Sequence, residues 1–262
     1  MIRRRAAALA AVLCLTAAGA WPASGQGALT VAAASDLQTV FPELARAFER
    51  ETGITVTVSF GSSGTFFAQV QNGAPFDVFF SADIDYPRQL GASGHADAAT
   101  LYEYATGRIV LWTRKDTGID VKRGVSVLQG PNVRRIAIAN PNVAPYGRAA
   151  VAALRSAGIY DAVRGKIVMG DNIAQTAQLA DSGNADVAIL AHSLSLGATL
   201  RASGTFAEIP TSAHPAIQQA AIVISASKNK ESARRFLAYM RSADAQATLK
   251  RFGFTPASAP SR

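Results

Sequence analysis

Apolar residues recur along the chain with two alternating periods, one typical of strands and one typical of helices. An apolar run at 29–33 and an alternating, β-branched segment at 54–60 predict strands, and apolar positions at helical spacing over 40–48 predict a helix between them. A helix at about 65–72 and a strand at 77–80 continue the order. Strands separated by helices predict parallel pairing with right-handed crossovers.

The same alternation continues to the end of the chain. It predicts further strands at 108–113, 134–139, 166–169, 186–190 and 220–225, and further helices at 125–128, 146–156, 173–181, 231–241 and 243–251. The predicted fold class is therefore α/β throughout. A short tail at 256–262 is predicted to be disordered.

The first 25 residues have the layout of a secretory signal peptide. Three arginines at 3–5 precede an apolar run at 6–20 and small residues at 23–25. The run is too short to span a bilayer comfortably, so an exported, soluble protein is favoured over a retained membrane anchor. The single cysteine, Cys14, lies inside this segment, so we expect a periplasmic mature protein without disulfides or thiol chemistry.

The charge balance is mildly basic and excludes one class of partner. The whole chain carries 26 Lys and Arg against 18 Asp and Glu, and without the arginines at 3–5 the formal charge falls from +8 to +5. The basic residues are scattered and form no block interleaved with aromatic residues, so a nucleic-acid-binding groove is not expected. About 237 mature residues suffice for one large domain or two modest lobes.

Two runs of small residues stand where the first two predicted strands end and helices begin. They are Ala-Ala-Ala-Ser at 32–35 and Gly-Ser-Ser-Gly-Thr at 61–65. In parallel α/β sheets, ligands lie beyond the carboxyl ends of strands, where helix N-termini present free N–H groups and a partial positive charge. Ser35, Ser62 and Ser63 can add hydroxyl donors there. Each serine alone could be a helix N-cap, but the two junctions together favour an oxyanion cradle.

Six segments, taken in order, resemble the periplasmic molybdate-binding proteins of ABC importers. They are AAAS at 32–35, FGSSGT at 60–65, NGAPFDVFFSAD at 72–83, NPNVAPYGRAA at 140–150, GDNIAQTAQL at 170–179 and LKRFGF at 249–254. Together they span nearly the whole mature chain. The resemblance implies a type II periplasmic binding fold, in which two α/β lobes, each a mainly parallel sheet flanked by helices, close on one tetrahedral oxyanion.

The resemblance also implies how the chain is divided and what it does. Residues 26–106 and 221–262 would form lobe 1 and residues 107–220 lobe 2, with crossing strands near 106–110 and 218–222. The protein would be a monomer without a cofactor or enzymatic activity. It would capture molybdate or tungstate, two ions of nearly the same size, and deliver the anion to a membrane permease.

Mapped onto this sequence, the contacts that the family makes with its ligand fall on four residues. Ser35 and Ser63 would each contribute a hydroxyl and an amide. Tyr146, at a position where the family also accepts alanine, would contribute its amide, and Ile173 would contribute from the start of a helix. Ser62 is an additional candidate.

One further position departs from the family. A tyrosine whose hydroxyl reaches the anion in some members is replaced here by Ala191. The phenol of Tyr146 is the preferred substitute donor, and His192, as an imidazolium, is the second candidate. Asp36, next to Ser35, is expected to point outward, where a carboxylate favours the helix N-terminus without repelling a dianion.

Other functions stay open as alternatives. Gly61-Ser-Ser-Gly resembles a nucleophile elbow only loosely, and a serine hydrolase would need one of the three histidines, His95, His192 or His214, as a base. The histidines lack close metal-ligand spacing, so no metal site is expected, and ferric-ion binding would need clustered tyrosines that the junctions do not offer. Sulfate and phosphate remain possible ligands; phosphate carries a proton and would want a buried acceptor such as a carboxylate.

Overall fold

The computed structural model describes residues 28–257. The predicted signal peptide and the last five residues of the predicted tail lie outside this range. Among the described residues, no helix combines the length and the apolar character that crossing a bilayer requires.

The predicted strands and helices are present in the predicted order, the helix at 125–128 as part of a 3-10 helix, and the structure adds further elements between them. The strands are β1 Leu29–Ala34, β2 Val56–Gly61, β3 Val78–Ser81, β4 Tyr102–Gly107, β5 Ile109–Arg114, β6 Ile136–Ala139, β7 Ile167–Gly170, β8 Val187–Ala191, β9 Gly204–Glu208, β10 Ile217–Val223 and β11 Thr255–Pro256. The α-helices are α1 Phe41–Thr52, α2 Ser63–Gln71, α3 Asp85–Ala92, α4 Pro145–Ser156, α5 Tyr160–Val163, α6 Ile173–Asp181, α7 His192–Ser195, α8 Ala198–Ser203, α9 Lys230–Met240 and α10 Ala243–Arg251. Short 3-10 helices include Ser35–Leu37 and Val121–Gln129.

The strands form two mixed sheets. The first has the order β11-β4-β10-β3-β1-β2, with β1 parallel to β2 and β3, and with β10 antiparallel to β3 and β4. The second has the order β7-β6-β8-β5-β9, with β6 parallel to β7 and β8, and with β5 antiparallel to β8 and β9. The sheets are less parallel than the sequence predicts, because β4, β5, β9 and β10 flank the chain crossings and are not joined by helical crossovers.

The chain passes twice between the two sheets. It leaves the first sheet at the end of β4, and β5 in the second sheet begins two residues later, within the crossing predicted at 106–110. It returns over 209–216, and β10 pairs with β4 from Ile217 onward. The return predicted at 218–222, and the lobe boundary predicted at 221, therefore fall inside β10. The hydrophobic pattern did not predict the start of β10, because the polar side chains of Gln218 and Gln219 interrupt its apolar run.

A separate apolar core supports each sheet. In the first, Phe41, Phe48, Phe80 and Phe236 are fully buried, and ring centroids of neighbouring members lie 4.9–5.7 Å apart in edge-to-face geometry. In the second, the core surrounds β5, β6 and β8 and includes Trp112. Burying an aromatic or aliphatic side chain contributes about 1.5–3 kcal/mol, so these two cores hold the strand ends rigidly.

Candidate oxyanion-binding site

The two serine-bearing junctions lie side by side in the first lobe. The parallel pairing of β1 with β2 sets Ala34 opposite Gly61, so Ser35 and Ser62 follow neighbouring carboxyl ends of the sheet. Ser35 begins the 3-10 helix Ser35–Leu37, and Ser63 begins α2. The three serines are buried, with exposed fractions of 3% for Ser35, 6% for Ser62 and 1% for Ser63. The structure thus brings together the serines that the sequence places at separate junctions.

The hydroxyls of these serines do not act as helix caps. Ser62 is the N-cap residue of α2 but makes no side-chain cap bond, and its Oγ donates to the carbonyl of Val143. Ser63 Oγ accepts from the amide of Ala82 at 2.9 Å, and Ser35 Oγ accepts from the amide of Ala174 at 3.4 Å. Because a hydroxyl that accepts one bond still carries its own O–H, Ser35 and Ser63 each retain a donor.

Two helices of the second lobe, α4 and α6, have their N-terminal ends near these serines. Tyr146 is the second residue of α4, after Pro145, and Ile173 is the first residue of α6. The side chain of the N-cap residue Asn172 accepts from the amides of Ala174 and Gln175. N–H groups in the first turn of a helix have no intrahelical carbonyl partner. Among residues 28–257, the amides of Ser63, Tyr146 and Ile173 donate to no protein acceptor, and all three residues are buried. These helix starts therefore offer free, dehydrated donors.

Hydrogen bonds across the two lobes show that the helix starts converge. The amide of Gly64, in α2, donates to Val143 O at 2.9 Å, three residues before Tyr146. Ser35 meets the start of α6 through Ala174 N, and Tyr146 Oη donates to the carboxylate of Asp36 at 2.8 Å. The segments that carry the four predicted anion contacts are thus linked to one another by hydrogen bonds between the lobes.

Asp36 is buried, which contradicts the outward orientation predicted for it. Its side chain is 0% exposed, and Oδ2 accepts from Tyr146 Oη at 2.8 Å and from Gln219 Nε2 at 2.7 Å. Gln219 Oε1 in turn accepts from Tyr104 Oη at 2.7 Å. Oδ1 has no hydrogen-bond partner among the described residues. Desolvation by burial raises the pKa of Asp36 from 3.8 to about 6, although the side chains of Gln219 and Tyr146 and the backbone amides of Asp36 and Leu37 lower it.

The phenol of Tyr146 has a different role from the one predicted. Its single O–H proton is donated to Asp36 Oδ2, so it is not free to replace the missing tyrosine hydroxyl of the family. Burial, and then the nearby carboxylate of Asp36, raise the pKa of Tyr146 well above its ordinary range. The hydroxyl therefore stays protonated and holds Asp36 in place.

Of the other candidates for the fifth contact, Ala191 has no side-chain donor, and the buried Nδ1 of His192 has no hydrogen-bond partner among the described residues. Ala191 ends β8 as a fully buried apolar residue paired with Ile109. The imidazole of His192 packs on Phe206, with ring centroids 5.3 Å apart, and its Nδ1 lies against the Cα of Gly253. Burial, and then the guanidinium of Arg108, lower the pKa of His192, so its ring is neutral at neutral pH.

The arrangement does not support hydrolysis or metal binding. Within the described residues, His95 is hydrogen-bonded to Ser93, His214 bonds the carbonyl of Pro215, and no histidine is hydrogen-bonded to the junction serines. A serine nucleophile needs such a base. Residues 28–257 also hold no group of three or more His, Cys, Asp or Glu side chains placed to bind a metal ion.

Gly107 is needed for the close approach of the Tyr146 phenol. A Cβ at this position would lie 2.2 Å from Tyr146 Oη and 2.7 Å from Gln219 Nε2. We expect Gly107→Ala to lower the free energy of unfolding by about 1–3 kcal/mol, because the phenol and amide must move away from Asp36. Urea denaturation measures the loss. Gly165→Ala is the control, since a Cβ there meets nothing within 4 Å; equal stability of the two variants would contradict this packing.

Comparison with known proteins places the chain in a family. The model of the bacterial extracellular solute-binding protein family matches residues 29–255. The molybdate-binding protein ModA of Azotobacter vinelandii is 34% identical over 86% of this chain and 88% of its own length, and that of Rhodobacter capsulatus is 32% identical over 97% and 96%.

Solved structures agree with this assignment. The periplasmic molybdate-binding protein of Azotobacter vinelandii superposes with a TM-score of 0.82 over 88% of this chain and 100% of that chain. The two-lobed α/β fold predicted from the sequence is thereby confirmed. The relatives bind solutes and do not convert them, so the prediction of a non-enzymatic protein is confirmed as well. The chain belongs to the bacterial extracellular solute-binding proteins.

Proposed function

We propose that the protein captures molybdate, or its near-equal tungstate, in the periplasm and delivers it to the membrane permease of an ABC transporter. The observation that supports the proposal is that four buried residues in the first turns of helices, Ser35, Ser63, Tyr146 and Ile173, lie in segments joined by hydrogen bonds between the lobes. Helix N-termini with free amides and hydroxyls bind anions without any basic side chain. The two curated relatives described above are named for molybdate binding, which supports this choice of anion.

Neutral donors suit a fully ionised tetrahedral dianion. Molybdate carries no proton near neutral pH, so each of its oxygens can only accept hydrogen bonds. Amides and hydroxyls are neutral donors for such bonds. The oxyanion is then a ligand to be transported and not a cofactor. The protein works as a monomer, and residues 1–25 act as its signal peptide.

Closure of the two lobes around the anion is the proposed mechanical step. The predicted lobes, 26–106 with 221–262 and 107–220, are adjusted so that β4 and β10 lie wholly in the first lobe, and the two chain crossings at 108 and 209–216 provide the hinge. Contacts that join the lobes in this structure support a closed form: Ser62 with Val143, Ser193 Oγ with Asp36 O at 2.7 Å, and Arg148 with Asp83. The permease would recognise this closed form.

One observation favours a second ligand. Asp36 supplies the buried carboxyl acceptor that a protonated oxyanion such as hydrogen phosphate requires, and its Oδ1 is unpartnered. Sulfate, which has no proton to share at neutral pH, gains nothing from that group while it is ionised.

Calorimetry on the mature protein distinguishes these ligands. We expect molybdate and tungstate each to bind with one anion per chain, and phosphate and sulfate to bind far more weakly. Esterase substrates should show no turnover. Saturable binding of phosphate with no binding of molybdate would reject molybdate in favour of the second ligand, and binding of none of the four anions would reject the oxyanion function altogether.

A further inference from the structure

The carboxyl group of Asp36 is the one side chain beside the cradle that titrates and lacks a partner on one oxygen. It directly follows Ser35 in the 3-10 helix Ser35–Leu37 and is 0% exposed. Oδ2 accepts two hydrogen bonds, from Tyr146 Oη and Gln219 Nε2, and within residues 28–257 Oδ1 has no hydrogen-bond partner. The backbone amides of Asp36 and Leu37 also favour the ionised carboxylate. A proton that this carboxyl group takes up therefore binds to Oδ1, because Oδ2 already accepts hydrogen bonds from two donors.

A bound dianion changes the energetics of that proton. An ionised Asp36 next to a dehydrated dianion is a pair of like charges in a low-dielectric site, which strongly favours protonation of the carboxylate. The carboxyl group is already close to protonation before the anion arrives, since burial raises its pKa to about 6. Once protonated, Oδ1–H is a buried donor that needs an acceptor, and an oxygen of the anion supplies one.

This inference rests on the proposed function. We propose that binding of the oxyanion is accompanied by uptake of one proton from solvent, which is held on Asp36 Oδ1. The resulting carboxylic acid donates a hydrogen bond to the anion. The carboxylic acid thus adds one donor to those of the cradle. The dianion and one proton bind together, and the carboxylate of Asp36 becomes neutral.

The two phenols of the Asp36 network stay protonated between pH 6 and 8. Tyr146 of α4 and Tyr104 of β4 have pKa values raised well above the ordinary range, first by burial. Gln219 of β10 does not ionise. In α6 the titratable residue is Asp181, whose Oδ1 accepts from Ser203, and in α7 it is His192, with a lowered pKa; β2 carries none.

The linkage has a measurable sign. Because the bound form holds one more proton than the free form above pH 6, the association constant for molybdate should fall by about tenfold per pH unit between pH 7 and 8. Molybdate itself stays a dianion over this range. Calorimetry in buffers of different ionisation enthalpy should report uptake of about one proton per anion at pH 7.5.

Asp36→Asn is the direct test, because its amide copies the protonated carboxyl group. The Asn oxygen can accept from Tyr146 and Gln219, and the Asn N–H occupies the place of the acid proton. We expect this variant to bind molybdate with no proton uptake and with an affinity that is constant from pH 6 to 8. His192→Gln is the matched control and should keep the slope of the parent protein, since the imidazole lies against Phe206 and Gly253.

The possible results distinguish a failure of the proton linkage from a failure of the proposed function. Molybdate binding by the unmodified protein with no proton uptake in any buffer would overturn the proton linkage and leave the proposed function standing. An undiminished pH slope in Asp36→Asn would move the proton to another group and also overturn it. Failure of molybdate to bind at any pH would overturn both proposals. The proton count of the unmodified protein decides the matter even if the variant fails to fold.

Discussion

Removal of either cradle hydroxyl is expected to weaken oxyanion binding by roughly 10- to 150-fold, because a hydrogen bond to a charged group contributes about 1.5–3 kcal/mol. The two changes are Ser63→Ala and Ser35→Ala. Each hydroxyl accepts a protein amide, from Ala82 in one case and from Ala174 in the other, and keeps its O–H for the anion. Titration calorimetry with molybdate at a fixed pH measures the loss.

Controls distinguish this loss from a general loss of structure. Ser126→Ala removes a serine hydroxyl that bonds only the nearby carbonyl of Arg123, so its affinity should equal that of the parent protein. The melting temperatures of both cradle variants should show a loss of stability that is smaller than the loss of binding free energy for molybdate. If Ser63→Ala or Ser35→Ala bound molybdate as tightly as the parent while melting earlier, the serine would serve only the local backbone.

The second large effect concerns the stability of the anion-free protein. Burial raises the pKa of Asp36 from 3.8 to about 6, so the folded protein binds this proton more tightly than the unfolded chain does. The free energy of unfolding therefore contains a contribution that is fully present below about pH 4, is lost as the pH rises to about 6, and stays absent above. A pKa difference of about 2 corresponds to about 3 kcal/mol.

Asp36→Asn isolates this contribution because asparagine does not ionise. Relative to the parent protein, the variant should gain about 3 kcal/mol of stability between pH 4 and pH 8. Comparing the two proteins at each pH cancels the titration of the remaining carboxylates. Urea denaturation at pH 4, 5, 6 and 8 gives the difference directly. A stability difference that does not vary with pH would mean that Asp36 is not protonated more readily in the folded state.

Local pattern was sufficient to predict the two serine junctions of the cradle. Ser35 and Ser63 each stand where a strand has ended and a helix begins, and such junctions can be read from a dozen residues of sequence. Ile173 was assigned only by the resemblance to the family. Whether their groups bind the anion stays a prediction. Elements with weak patterns were not predicted: β4 reads Tyr-Glu-Tyr-Ala-Thr-Gly and is only partly buried, and the short strand β9 and helix α3 have few buried positions.

The network around Asp36 could not be predicted in this way. Its partners Tyr146 and Gln219 lie 110 and 183 residues further along the chain, on the other lobe and on a returning strand. An acidic residue in the first turn of a helix is ordinarily exposed, because a solvated carboxylate favours the helix dipole. Here tertiary packing overrides that preference, and the same burial that reverses the predicted orientation gives the site its titrating group.

Anomalous diffraction at the molybdenum edge, from crystals of the mature protein grown with molybdate, tests the central claim most directly. We predict one strong peak per chain between the lobes, with the oxyanion oxygens within about 3.2 Å of the amides of Ser63, Tyr146 and Ile173 and of the hydroxyl of Ser35. A peak at another place, or no peak from a protein saturated with molybdate, would contradict the assignment of this cradle as the oxyanion site.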